Sequence, residues 1–215
     1  SHGQPAPVNQ QLTPAQVLAK VEATYAKAQH LTATFEQTVY NATFGATKTS
    51  AGTVYLARPD KMRWDYKSNR RTAGPGKSFI ADGKILWIVE PENLQVIKKS
   101  LANEHALPAA VSFLNGSGKL AADFHVGAPK SPKDLVPGAT VLELTPKQPN
   151  AQYTKLRLVV DPSTWQVVRS VVVSSDDNTN TFVFASADLT TKPAAALFVF
   201  DPASVRNYKI VDVKP

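Results

Sequence analysis

The spacing of apolar residues changes period early in the chain. Between Leu12 and Leu31 the apolar residues Val17, Leu18, Val21, Tyr25 and Ala28 recur every three or four positions, which makes them one stripe of a helix. Its start is marked as well: Thr13 can cap, Pro14 suits the first helical position, and Gln16 completes a T-x-x-Q capping box. Such a stripe must lie on an apolar surface.

From Thr32 onward the period falls to two, and β-branched and aromatic residues become common. The alternation predicts strands near 33–44, 48–57, 61–67, 77–81, 84–90, 94–99, 119–126, 139–145, 153–160, 165–174, 180–187 and 196–200. Turn chemistry separates them at Arg58-Pro59-Asp60, Asp82-Gly83, Pro91-Glu92-Asn93, Asp161-Pro162-Ser163 and Asp176-Asp177-Asn178. This spacing implies antiparallel hairpins in a meander that curls into a barrel or sandwich. Residues 101–118 break the alternation, and Pro108 can start a short helix carrying Val111, Phe113 and Leu114 before the glycine-containing stop. Two helices cannot coat both sides of so large a sheet, so they are expected over one concave face. No repeat, low-complexity tract or long linker divides the chain. Residues 1–11 are expected as a flexible tail or expression scar, and 12–215 as a single domain.

Within "YLARPDKMRWDY" (55–66) the even positions Leu56, Met62, Trp64 and Tyr66, with Val54 before them, share one strand face, and Arg58 is in phase with them. The plain reading is that the strand ends at Arg58, Pro59 turns the chain, and the guanidinium reaches solvent.

At 215 residues the chain can build one sizeable core, and its 43% hydrophobic and 19% charged content is that of a folded protein. No run approaches the ~20 apolar residues that span a bilayer as a helix. Lys and Arg number 24 against 17 acidic residues, a net charge of +7, which admits acidic partners, anionic lipid surfaces and nucleic acid. The charge is uneven: residues 58–71 hold six basic and two acidic side chains. The absence of cysteine excludes disulfides, a thiol nucleophile and thiolate metal sites.

Candidate chemistry is sparse. His2, His30, His105 and His125 lack the H-x-x-x-H spacing of a metal pair, and no G-x-S-x-G elbow occurs. "NGSGK" (115–119) lacks the spacing of a phosphate loop and reads as a turn, and Asp176-Asp177-Asn178 reads as a hairpin tip rather than a calcium site. No catalytic residue, metal or cofactor is expected, and the chain is not expected to be an enzyme. "RWDYKSNRR" mixes aromatics with cations as nucleic-acid platforms do, but Trp64 and Tyr66 take one strand face while Arg63 and Asp65 take the other. That sorting argues against nucleic acid.

The motif G-x-V-x-L-x-R-P-x-K-x-R-W-x-Y (Gly52 to Tyr66), followed by "DGKILWIVEPENLQV" (82–96), resembles the signature of the periplasmic lipoprotein carrier family, the LolA-type chaperones. "LELTPK" (142–147), "LRLVVDPSTWQVVRSVV" (156–172) and "FVFDPASV" (198–205) follow in that family's order. The lid segment "PAAVSFLNGSG" departs from the pattern, being smaller and less apolar. The resemblance implies an incomplete antiparallel barrel of about eleven strands with a lid of short helices on its concave side. An apolar cavity between them would hold the acyl chains of a lipoprotein. It further implies a monomeric periplasmic carrier that uses no cofactor, takes lipoproteins from an ATP-driven, ABC-type extractor in the inner membrane, and delivers them to an outer-membrane acceptor.

On that resemblance the cavity residues are Phe35, Val54, Leu56, Met62, Trp64, Tyr66, Phe79, Trp87 and Val89 from the strands and Val111, Phe113 and Leu114 from the lid. Each of them could equally be ordinary packed core. Arg58 gains a second reading, in which its five donors bond free carbonyls at the lid helix ends and latch the empty lid. Lys61, Arg63, Lys67, Arg70 and Arg71 would form a basic rim that docks on acidic partner surfaces. The same lysines and arginines also suit a solvated strand edge guarded against aggregation. Two further readings stay open: a half-barrel that senses lipid or lipoprotein to control signalling, and a structural module whose aromatics fill a closed core.

Overall fold

The computed structural model describes residues 3, 11–68, 74–102, 109–115 and 119–214. The expected N-terminal tail, apart from Gly3 and Gln11, lies outside the described residues. Helix α1 (Pro14–Lys27) begins with the capping box read from the sequence: the Gln16 N–H donates to Thr13 Oγ1 at 3.2 Å, and the Thr13 N–H donates to Gln16 Oε1 at 2.9 Å. Its apolar stripe, Val17, Leu18, Val21 and Tyr25, is buried.

Among the described residues twelve strands form one sheet: β1 (His30–Asn41), β2 (Ala46–Ala57), β3 (Lys61–Tyr66), β4 (Ser78–Asp82), β5 (Ile85–Glu90), β6 (Gln95–Ser100), β7 (Phe124–Gly127), β8 (Thr140–Pro146), β9 (Lys155–Val160), β10 (Val167–Val173), β11 (Thr179–Asp188) and β12 (Lys209–Val213). Their order is β12-β6-β5-β4-β3-β2-β1-β11-β10-β9-β8-β7. β1 pairs with both β2 and β11, so the two meanders share it as a spine. The end strands β12 and β7 are not neighbours in this order. The expected incomplete barrel is therefore present, as an open sheet. Among the described residues no helix is long and apolar enough to cross a membrane.

Three sequence expectations need correction. Residues 119–126 form helix α2 (Lys119–Asp123) before β7 begins, rather than one strand. The expected strand 196–200 is a 3₁₀ turn (Ala195–Phe198) and extended chain. Its alternation, with Phe198 buried and Val199 exposed, comes from one side lying on the sheet, and no described strand pairs with it. The edge strand β12, not expected from the sequence, pairs in parallel with β6. The start expected at Pro108 lies outside the described residues, and the described part of that segment is a 3₁₀ helix, Ala109–Asn115.

The core has two parts. The larger packs α1, α2 and the 3₁₀ segment 109–115 against the concave face of the sheet. A smaller one, Ile80, Trp87, Val89 and Val96, lies on the convex face under Phe200, Val205 and Tyr208 of the C-terminal segment.

Candidate functional site

Register decides which strand residues face inward. Val54 pairs with Trp64, Leu56 with Met62, and Trp64 with Phe79, so these side chains share the concave face. Gly52 sits opposite both Phe35 and Tyr66, and the Phe35 ring occupies the space that a side chain there would take. Phe35 then meets Trp64 and Tyr66 edge-on, each at 5.0 Å between ring centroids.

The helices cover only part of this face. Phe35, Val54 and Leu56 from the strands and Phe113 and Leu114 from the 3₁₀ segment are almost fully buried in the concave core. Beside them the concave face stays open as a cavity of about 890 Å³. Met62, Trp64, Tyr66, Phe79 and Val111 line it, joined by Ala81, Leu86 and Phe182, which were not expected from the sequence. A polar chain marks one wall: Tyr66 Oη donates to Gln37 Oε1 at 2.6 Å, and Gln37 Nε2 donates to Asn180 Oδ1 at 3.0 Å. Burial pushes the Tyr66 hydroxyl up to about 12, so it remains a neutral donor. A smaller cavity of about 160 Å³ lies beneath the helices, between Tyr25, Phe113 and Leu114 on one side and Val167 and Phe184 on the other.

Trp87 and Val89 do not reach the cavity. Trp87 pairs with Ile80 and faces the convex side, where its ring meets Phe200 at 5.2 Å. The inward residues of β5 are Leu86 and Ile88, which belong to the concave core. The run "ILWIV" is apolar on both faces, so its parity was not legible in the sequence.

Arg58 stands where β2 ends, at the edge of the helices. It donates to the Tyr25 carbonyl at 2.7 Å and the Ala28 carbonyl at 3.3 Å, both at the C-terminal end of α1. It also donates to the Leu114 carbonyl, in the last turn of the 3₁₀ segment. These are carbonyls that a helix end leaves without an intrahelical partner. Burial draws the guanidinium pKa down, because loss of water disfavours the charged form. On the opposite side, Ser170, fully buried in β10, donates its hydroxyl to the Ala110 carbonyl, and the Val167 N–H donates to Tyr25 Oη at 2.9 Å. Residues distant in sequence thus tie the helices to both halves of the sheet.

Of the five basic residues, Lys61, Arg63 and Lys67 lie among the described residues, and these three do not form one rim. Lys61 opens β3 and Lys67 follows its end, about 20 Å apart at the rise of a strand. Arg63 is engaged on the convex side, with Asp65 at 2.8 Å and the Leu197 carbonyl at 2.9 Å, where it holds the C-terminal segment against the sheet. Arg70 and Arg71 lie outside the described residues.

Comparison with known proteins bears on this cavity. The family model described as outer membrane lipoprotein carrier protein LolA matches residues 26–201. An outer-membrane lipoprotein carrier protein of Chromobacterium violaceum is 26% identical over 189 residues, covering 87% of this chain and 84% of that protein. Another, from Xanthomonas axonopodis pv. citri, is 33% identical over 114 residues, 53% of this chain and 50% of its own length. Among solved structures, an uncharacterized conserved protein from Thermus thermophilus has the same fold, with a TM-score of 0.54 at 12% identity over 92% of this chain and 97% of that chain.

Proposed function

This chain belongs to the LolA family of outer membrane lipoprotein carrier proteins, and we propose that it shields the acyl chains of lipoproteins in its concave cavity while they cross the periplasm. In this reading it receives cargo from an ABC-type extractor in the inner membrane and yields it to an acceptor at the outer membrane. The observation that carries the proposal is a cavity of about 890 Å³, its floor formed by Met62, Trp64, Phe79, Leu86 and Phe182, beside helices whose ends are held by Arg58.

Magnitudes support a site that binds and then releases. A methylene fills about the volume of a water molecule, about 30 Å³, so the cavity has room for about thirty of them, or about two long acyl chains. Each buried methylene contributes about 0.8 kcal/mol, so one long chain brings on the order of 10 kcal/mol gross. A site that kept all of this would not hand its cargo on. Larger cargo requires the helices to move, which breaks the Arg58 bonds to Tyr25, Ala28 and Leu114 and leaves those carbonyls without these donors beside hydrocarbon, at a cost of a few kcal/mol. Arg58 in this reading acts as a latch that weakens the loaded state. The exposed Lys61 and Lys67 are available for docking on acidic partner surfaces; Arg63, held by Asp65 and Leu197, is not.

The test is native mass spectrometry of the protein purified with a coexpressed lipoprotein. A one-to-one complex that dissociates when an acceptor is added supports transport. A complex that the acceptor leaves intact points to lipid sensing, and no complex at all sinks the carrier reading.

A further inference from the structure

The β1–β2 hairpin outruns its neighbours. β11 stops pairing with β1 at Tyr40, and among the described residues β3 pairs with β2 no further than Gly52, so the turn 42–45 stands beyond both adjoining strands. Its backbone is fixed: Asn41 Oδ1 accepts the Thr43 N–H at 3.0 Å and the Phe44 N–H at 3.2 Å, the Ala42 N–H donates to Asn178 Oδ1 at 2.8 Å, and Gly45 supplies a positive φ of 62°. This turn presents Phe44 to solvent at 80% exposure, and no large apolar side chain among the described residues is more exposed. Val39 and Tyr40 behind it are exposed too. By strand parity Val39 lies on the concave side, where it lines the cavity, and Tyr40 lies on the convex side.

Apolar groups thus surround the end of the hairpin instead of covering one face of it. A protein partner meets a patch with an apolar centre and a polar rim. Side chains on both faces and at the tip are buried together when the end of the hairpin enters an apolar medium. Residues 37–47 carry no charge, and the N–H groups of Ala42, Thr43 and Phe44 already have acceptors, so shallow insertion strands neither a charge nor those donors. The nearest charges, Lys48 in β2 against Asp176 and Asp177 in the turn beside Asn178, give no preference for an anionic surface.

We propose that the tip of the β1–β2 hairpin inserts into the interfacial layer of a phospholipid bilayer, Phe44 deepest and Val39 and Tyr40 at the headgroup level. The same hairpin lines the cavity through Val39, Thr49, Ser50 and Ala51, so insertion brings the cavity beside the bilayer. The choice of a bilayer over another apolar surface rests on the cavity being an acyl-chain site, as proposed above.

The test is cosedimentation of the full chain with phosphatidylcholine vesicles, with and without phosphatidylglycerol, and with Phe44→Glu alongside. Burying one phenylalanine ring is worth about tenfold in partitioning, so the variant should bind about tenfold more weakly, at low and high salt alike and with an unchanged urea midpoint. No binding by the parent, or binding that the variant keeps, overturns the inference. Binding that needs phosphatidylglycerol and fails in high salt assigns the contact to surface lysines and overturns it as well. Absent vesicle binding combined with slower transfer to an acceptor by Phe44→Glu assigns the tip to a protein partner instead. Native mass spectrometry of the same proteins with lipoprotein separates the two readings: a complex without vesicle binding removes the hairpin's role and leaves the cavity standing, and vesicle binding without a complex does the reverse.

Discussion

Arg58 donates to the carbonyl oxygen of Leu114, so the end of a strand holds the last turn of the segment that roofs the sheet. The same guanidinium holds the Tyr25 carbonyl, which couples that segment to α1. Arg58→Leu should therefore loosen both at once. Leaving buried carbonyls without donors costs about 1–3 kcal/mol, so hydrogen exchange should speed up in 109–115 and in the last turn of α1. Lipoprotein binding should hold or improve while transfer to an acceptor slows. Normal transfer by this variant would remove Arg58 from the mechanism.

Ser170 is the polar residue that β10 buries completely, and its hydroxyl meets the Ala110 carbonyl from below. Ser170→Ala strands that carbonyl, and the expected loss is about 1–3 kcal/mol in urea unfolding. Opening of the 109–115 segment should increase without any change at Arg58. A variant as stable as the parent would show that the bond is replaceable.

Gly52 carries the aromatic floor through a close approach. A Cβ there would lie 1.9 Å from the Asp65 carbonyl oxygen and 2.8 Å from Phe35 Cζ. The backbone oxygen cannot yield, so Gly52→Ala has to spread β2 from β3 and push Phe35 toward Trp64 and Tyr66. Overpacking of this kind costs about 1–3 kcal/mol. A lowered urea midpoint checks it, and an unchanged midpoint contradicts it.

Glu22 on α1 is a buried carboxylate, 8% exposed, that accepts the Leu120 N–H of α2 at 3.0 Å. Burial raises its pKa, and bonds from the Leu120 and Ala121 N–H groups offset only part of that rise. An acid that holds its proton more tightly when folded contributes most below its ordinary value near 4.5, and that contribution fades as pH rises through the raised value. Glu22→Gln keeps an acceptor and removes the charge. It should be more stable than the parent at neutral pH, with the difference vanishing toward pH 4.5. Asp82 works the other way: burial raises its pKa, but bonds from the Ile85 and Lys84 N–H groups and the Trp87 indole outweigh that and hold it low. It is common to both proteins, so comparing their urea midpoints across pH isolates Glu22.

What the sequence disclosed follows from how local each signal is. The Thr13–Gln16 capping box and the stripe behind it lie within one turn of each other, and α1 appears where they placed it. Alternation likewise revealed the strands from β1 to β6 and the inward set of Met62, Trp64 and Tyr66. The five-residue helix α2 is too short to show a helical stripe, and Leu120 and Phe124 mimic strand spacing. β12 depends on a partner over a hundred residues earlier, and Ile210 is half-exposed, so neither pairing nor alternation announced it. The cavity itself is a difference between what the sheet could cover and what the helices do cover. No run of residues encodes that difference, which is why Phe35 and Leu56 proved to be packed core while Phe182 and Leu86 line open space.

The C-terminal segment has a mechanical consequence. Its 3₁₀ turn is tied to β3 through Arg63, its Phe200 wedges on Trp87, and its last strand lengthens the sheet beyond β6. The wall behind the cavity is thereby braced like an anvil. In the proposed carrier reading, cargo too bulky for the cavity would load the roof, where single side chains hold the joints, before it loads this braced wall.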